Sequence, residues 1–119
     1  MQKDGQKMRH TVSLCENYLF GRMYRRGKSA VTPWIAVYYM KNRLTENRLG
    51  ITASKKIGGA VERNRARRII KEAYRLTEAQ IKSGYDIVIV ARKKAVYANM
   101  WEVRKSLLAA LRGFSLLEE

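Results

Sequence analysis

The sequence is poor in the groups that enzymes use for chemistry and in the residues that staple or break a chain. It has one cysteine, Cys15, so no disulfide can close within it, and that composition suits a reducing compartment. It has one histidine, His10, and its aspartates are Asp4 and Asp86. A nuclease that hydrolyses phosphodiesters holds metal ions with clustered carboxylates or uses a histidine as acid or base. Here Asp4 and His10 stand in the N-terminal stretch, Asp86 opens an apolar run, and no two glutamates form a pair facing a common site. No metal-ligand spacing, nucleophile with a base, or phosphate-binding loop of the nucleotide-hydrolase kind is present. Cys15 has no base beside it and reads as a partly buried structural residue. No apolar run approaches the roughly 20 residues that span a bilayer, and no signal-peptide core opens the chain. That predicts a soluble, cytoplasmic protein without a membrane partner, a catalytic residue or a metal site of its own.

What the chain has is positive charge. Its 119 residues carry 25 Lys and Arg against 10 Asp and Glu, a formal net charge of +15, which favours a polyanionic partner. Residues 1–12 are polar, basic and aperiodic and read as a flexible arm; residues 13–119 are long enough for one domain with a single core.

The charge concentrates between Ser54 and Arg75, where eight residues are basic: Lys55, Lys56, Arg63, Arg65, Arg67, Arg68, Lys71 and Arg75. At about 100° per residue, Ala66, Ile69, Ile70, Ala73 and Leu76 share one helix face. Asn64, Arg67, Arg68, Lys71 and Arg75 fall on the opposite face, with Arg63 and Arg65 on its flanks. Over about twelve residues at about 1.5 Å rise, that face is a cationic rod roughly 18 Å long. A solvated charged face usually alternates sign, and this one does not. Guanidinium forks suit phosphate because they donate two hydrogen bonds at once and stay charged. Gly58 and Gly59 ahead of the helix leave its first N–H groups open to an anion.

Around this helix the pattern predicts a compact order. A first helix ends at Gly27, with Arg25 and Arg26 in its last turn; either Ser13-x-x-Glu16 or Asn17 caps its start. Leu19, Phe20, Met23 and Tyr24 line one face, which by itself reads as core. Lys28–Pro33 reads as a loop. Trp34–Met40 has strand composition, Lys41–Asn47 reads as a hairpin connection and Leu49–Ser54 as the returning strand. The basic helix then runs to about Lys82. Tyr85–Ala91 is a strand covered on both faces, followed by Arg92, Lys93 and Lys94. A last helix starts near Asn99 with Glu102 three residues on and ends at Gly113, burying Met100, Val103, Leu107, Ala110 and Leu111. Leu116 and Leu117 pack back. This order gives an α+β two-layer sandwich with a small mixed sheet.

The run Ser54-Lys55-Lys56-Ile57-Gly58-Gly59-Ala60-Val61-Glu62-Arg63-Asn64-Arg65, opening a basic helix after a strand, resembles the signature of the bacterial ribonuclease P protein subunit. Weaker similarity covers about residues 14 to 112. Gly59 departs from the pattern, since many members carry a larger polar residue there. The resemblance implies a four-stranded sheet, in a fold shared with a domain of a small-subunit ribosomal protein, and a left-handed βαβ crossover through the basic helix. It further implies an accessory subunit of an endoribonuclease whose catalyst is a large RNA using bound Mg2+, and which removes the 5′ leader from precursor tRNA. By similarity, Lys55, Lys56, Arg63, Asn64, Arg65, Arg67 and Arg68 contact the catalytic RNA, and Lys71 joins them one turn on. Phe20, Tyr24 and Tyr38 match the cleft that holds the single-stranded leader. Two rivals remain: a ribosomal or other structural RNA-binding protein, and a free-standing protein nuclease.

Overall fold

In a computed structural model, residues 11–14 and 17–118 are described. Five strands, β1 (Thr11–Ser13), β2 (Lys28–Val31), β3 (Ile35–Lys41), β4 (Asn47–Thr52) and β5 (Tyr85–Ala91), form one mixed sheet in the order β1-β4-β5-β3-β2. Three helices, α1 (Asn17–Arg26), α2 (Ala60–Arg75) and α3 (Met100–Gly113), complete it. The α+β class expected from the sequence holds, with one strand more than the four implied.

The centre of the sheet follows from apolar content. β5 is apolar on both faces, so it takes the one place where both are covered. Ile87 and Ile89 enter the larger core, against Ala66, Ile70 and Ala73 of α2 and Val103, Leu107 and Leu111 of α3. Val88 enters a smaller core on the opposite face, under Leu14, Leu19 and Met23. β5 pairs antiparallel with β3 and parallel with β4. The hairpin expected across residues 41–47 therefore does not form, because β5 lies between its two arms. Asp86 of β5 fastens one end of this arrangement, accepting from Arg48 Nε at 2.7 Å and Nη2 at 2.8 Å.

The sequence pattern missed two edge strands. β2, expected as a loop, pairs antiparallel with β3 from Lys28↔Tyr39 to Val31↔Ala36. An edge strand needs no apolar alternation, and a lysine on it discourages further pairing. Thr11 and Val12, assigned to the arm, belong with Ser13 to β1, which pairs parallel with β4. Residues 1–10, Cys15 and Glu16 lie outside the described residues, and with them the rest of the arm, the structural role of Cys15 and the Ser13–Glu16 capping box.

The helix ends are governed by local chemistry. α1 stops at Arg26, next to Gly27, as expected. α2 ends at Arg75 rather than near Lys82. Thr77 Oγ1 donates to the Ala73 carbonyl at 2.8 Å, and a 3-10 turn over Glu78–Gln80 follows. Leu76 is the C-cap and 36% exposed, so the core face assigned to it belongs instead to fully buried Tyr74. At α3, Asn99 Oδ1 accepts from Glu102 N at 2.9 Å while Glu102 Oε1 accepts from Asn99 N at 3.0 Å, the expected capping box. Leu116 and Leu117 are buried, as expected, and Leu117 bridges to Ile81.

Candidate nucleic-acid interface

α2 begins where β4 leaves the sheet. Ser54 caps a 3-10 turn over Lys55–Ile57 that holds the exposed Lys55 and Lys56 ahead of the helix. Gly58 follows at φ 155°, and a Cβ there would meet Glu62 Cβ at 2.8 Å, so the chain needs glycine to enter the helix at this angle. Glu62 Oε1 accepts from Gly59 N at 2.9 Å, while Gly59 itself supplies no side-chain cap. With Ala66, Ile70, Ala73 and Tyr74 buried against the sheet, the helix turns its cations outward.

Those cations differ in how they are held. Asn64, Arg67, Arg68 and Lys71 are exposed on one face, as the helical periodicity predicts. Arg67 Nη1 donates to Asn64 Oδ1 at 3.1 Å, which orients the guanidinium. The side chains of Lys55, Lys56, Arg68 and Lys71 have no hydrogen-bond or ion-pair partner among the described residues. Arg63 Nε donates to the Gly59 carbonyl at 3.3 Å, and Arg65 Nε to the Val96 carbonyl at 2.9 Å. Arg75 forms a 2.6 Å ion pair with Glu72, whose carboxyl its hydrogen bond holds below the usual carboxylate range. That pairing removes Arg75 from the cationic face and ends it at Lys71.

The aromatic set gathers on the other face of the sheet. Tyr24 of α1 and Tyr38 of β3 meet edge to face with ring centroids 5.0 Å apart. Phe20, Tyr38, Met40 and Val90 are only partly buried against the small core, because one ten-residue helix cannot cover this face. Phe20 lies over β4 where Gly50 leaves room: a Cβ on Gly50 would meet Phe20 Cε1 at 2.4 Å. Tyr24 is 44% exposed, so its ring is not core, whereas Leu19 and Met23 are. Past Tyr38 and Gly50, the next row of the sheet on this face is Ala36–Val90–Thr52, where Val90 is partly buried. Lys55 and Lys56 follow β4 there, and Arg92, Lys93 and Lys94 follow β5. The two predicted sets thus sit on opposite faces and meet at one end of the sheet, across this lysine and arginine cluster.

Among the described residues no group of three His, Cys, Asp or Glu side chains gathers as a metal site. Asp86 is buried and held by Arg48 and Asn42. Sequence reasoning overlooked Gly50, which shapes the cleft, and Tyr97 and Trp101, which are 84% and 64% exposed. Tyr97 directly follows the carbonyl that holds Arg65. Nothing in the local pattern marks these residues, since their roles come from contacts between distant segments.

The fold and its two surfaces define a small α+β protein with a cationic helix on one face of its sheet and a half-open aromatic cleft on the other. The family model for Ribonuclease P matches residues 8–115, and the chain belongs to that family. It is 45% identical over 98 residues to the ribonuclease P protein component of Clostridioides difficile, covering 82% of this chain and 86% of that one. The structure of the Staphylococcus aureus RNase P protein is similar with a TM-score of 0.78 at 31% identity, over 89% of this chain and 97% of that one. The Thermotoga maritima RNase P protein in complex with 1-(4-fluorophenyl)-2-thiourea matches with a TM-score of 0.68 at 35% identity, over 76% and 88%.

Proposed function

We propose that the chain is the protein subunit of a ribonuclease P holoenzyme that binds the catalytic RNA and the 5′ leader of precursor tRNA. In this reading Lys55, Lys56, Arg63, Asn64, Arg65, Arg67, Arg68 and Lys71 grip phosphates of the catalytic RNA. Phe20, Tyr24 and Tyr38 stack against leader bases, which single strands permit without sequence preference. The Mg2+ that the reaction uses would be held by the RNA, and the protein raises the affinity for precursor over mature tRNA. The observation that carries the reading is the arrangement of Lys55 and Lys56 between the unpaired cations of α2 and the strand that Phe20 of the aromatic cleft overlies. One RNA surface and one single strand can then be held side by side, within the cytoplasm where tRNA is matured.

The test is reconstitution. Added to a bacterial ribonuclease P RNA at low Mg2+, the protein is expected to restore 5′-end maturation of precursor tRNA that the RNA alone performs poorly. No stimulation, together with co-purification on ribosomal subunits, would assign it to a structural RNA-binding role instead. Cleavage by the purified, RNA-free protein would assign it to the free-standing nucleases.

A further inference from the structure

At the end of the sheet away from Lys55 and Lys56 lies a cavity of about 830 Å³, within the size range of small-ligand sites. Arg22, Arg26, Lys28, Lys41 and Arg43 line it, together with the Arg48–Asp86 pair. Asp86, its one carboxylate, already accepts from Arg48 Nε and Nη2 and from Asn42 Nδ2 at 3.0 Å. The side chains of the other five cations have no hydrogen-bond or ion-pair partner among the described residues. Concave surfaces lined with one sign of charge focus the field and concentrate counter-ions. In the free protein such crowding is unfavourable: Arg22 and Arg26 are spaced i,i+4 on α1, where like charges repel.

Arg43 stands at the rim of this cavity on a tight turn. It sits at φ 63°, a left-handed conformation that glycine or asparagine adopts more readily than a long side chain. The loop fixes it there: Asn42 Oδ1 accepts from Leu44 N at 2.7 Å, Asn42 Nδ2 donates to the Glu46 carbonyl at 3.1 Å, and Asn42 N donates to the Gly84 carbonyl at 3.0 Å. The turn thus presents the Arg43 side chain at the rim of the cationic cavity. The cavity wall is partly aromatic, with Tyr39 4.4 Å from Phe114 and 5.8 Å from Tyr85, centroid to centroid.

We propose that this cavity is a second site for single-stranded RNA, which holds the phosphates of a segment on its cations and a base or ribose against its aromatic wall. It is separate from the leader cleft. On α1 at about 100° per residue, Phe20 and Tyr24 lie on one side of the buried Leu19–Met23 ridge, and Arg22 and Arg26 on the other. A strand in the cleft cannot reach the cavity without passing over or around α1. Along β4, Arg48 at the cavity end and Thr52 at the cleft end are four residues apart, roughly 13 Å at about 3.3 Å per residue. The proposal rests on the RNA-binding reading above and extends it to a surface that reading does not use.

The test is NMR titration of the full chain with a twelve-nucleotide oligouridylate, following backbone amides at residues 41–44 and Lys28 separately from those at Ala36, Thr52 and residues 55–71. Both groups are expected to shift. Arg26→Gln with Arg43→Gly is expected to remove the shifts at 41–44, leave those at the cleft and α2, and reduce the magnitude of the log–log salt slope by about 1.4, about 0.7 per lost phosphate contact on a single strand. Arg43→Gly alone relieves the backbone conformation and is expected to melt no lower than wild type. Shifts confined to the cleft and α2 overturn the second site while sparing the RNA-binding reading; no shift anywhere overturns both. Shifts at 41–44 with tripolyphosphate but not with the oligonucleotide overturn RNA as the occupant.

Discussion

Arg65 and Val96 are joined by a 2.9 Å hydrogen bond from the guanidinium Nε to the backbone carbonyl oxygen. The bond ties α2 to the 3-10 turn over Lys93–Tyr97, on which α3 begins. Arg65 is therefore partly structural, although helical periodicity places it at the edge of a cationic face. Arg68, one turn on, has no such bond.

The two arginines are expected to separate stability from binding. Arg65→Ala should lower stability by about 1 kcal/mol, below the roughly 1.5–3 kcal/mol of hydrogen bonds to charged groups because Arg65 is exposed. For a domain of this size that is a fall of roughly 3–6 °C in Tm. Arg68→Ala should leave Tm within about 1 °C, as surface changes usually do. Both should weaken assembly with ribonuclease P RNA, measured by filter binding beside thermal melts. Equal melting of the two variants would contradict the role assigned to the Val96 carbonyl.

Electrostatic grip predicts a steep salt dependence. Arg75 is committed to Glu72, which leaves Lys55, Lys56, Arg63, Arg65, Arg67, Arg68 and Lys71 to face phosphates. If six or seven of these engage, log affinity should fall with log salt at a slope of roughly −4 to −6, at about −0.7 to −0.9 per contact. A nearly flat dependence would remove α2 as the gripping surface.

Tyr74 sets an alkaline limit on stability. Burial in the core pushes its phenol up to about 12, partly offset by the 3.0 Å hydrogen bond with Thr11. Between pH 10 and 12 the unfolded chain loses this proton while the folded one keeps it, so stability falls as pH rises through that window. The loss approaches about 2–3 kcal/mol at about 1.4 kcal/mol per pH unit. In denaturant titrations from pH 9 to 12, Tyr74→Phe should be less stable at pH 9, through the lost Thr11 bond, and show a shallower decline. An identical decline in both proteins would place the alkaline transition elsewhere.

How much of this was legible depended on whether a segment's role is local. The cationic face of α2, the Asn99–Glu102 capping box and the double-sided burial of β5 follow from periodicity and capping chemistry and appear where expected, except that Arg75 pairs with Glu72 and leaves the cationic face. Strand neighbours do not follow from local pattern. β3 and β4 look like hairpin arms until β5, apolar on both faces, takes the place between them. β1 and β2 are three and four residues long, too short to show a period of two. The cleft was legible only in part. Phe20 reads as core on a helical wheel, and its half-open position depends on Gly50, thirty residues away and on another element.

The leader cleft yields the most discriminating prediction. Tyr24→Ala should weaken binding of precursor tRNA to the assembled holoenzyme by roughly five- to 150-fold, the equivalent of about 1–3 kcal/mol for one stacking contact. Mature tRNA, which has no leader to stack, should bind almost as before. Tyr24 is the cleanest of the three sites because its ring is 44% exposed and little packing is lost. Phe20→Ala and Tyr38→Ala should show the same preference with a larger loss of stability, since both rings rest on the small core. Gly50→Ala reaches the same surface without removing a ring: its Cβ would stand 2.4 Å from Phe20 Cε1 and 2.7 Å from Cζ, so the ring must shift. That variant should mimic Phe20→Ala in the precursor-against-mature comparison. Assembly with the catalytic RNA should stay near wild type throughout, because it depends on α2 across the sheet. If folded Tyr24→Ala weakens precursor and mature tRNA equally, the aromatic cleft holds no leader and the proposed function keeps only the grip of the cationic helix on the catalytic RNA.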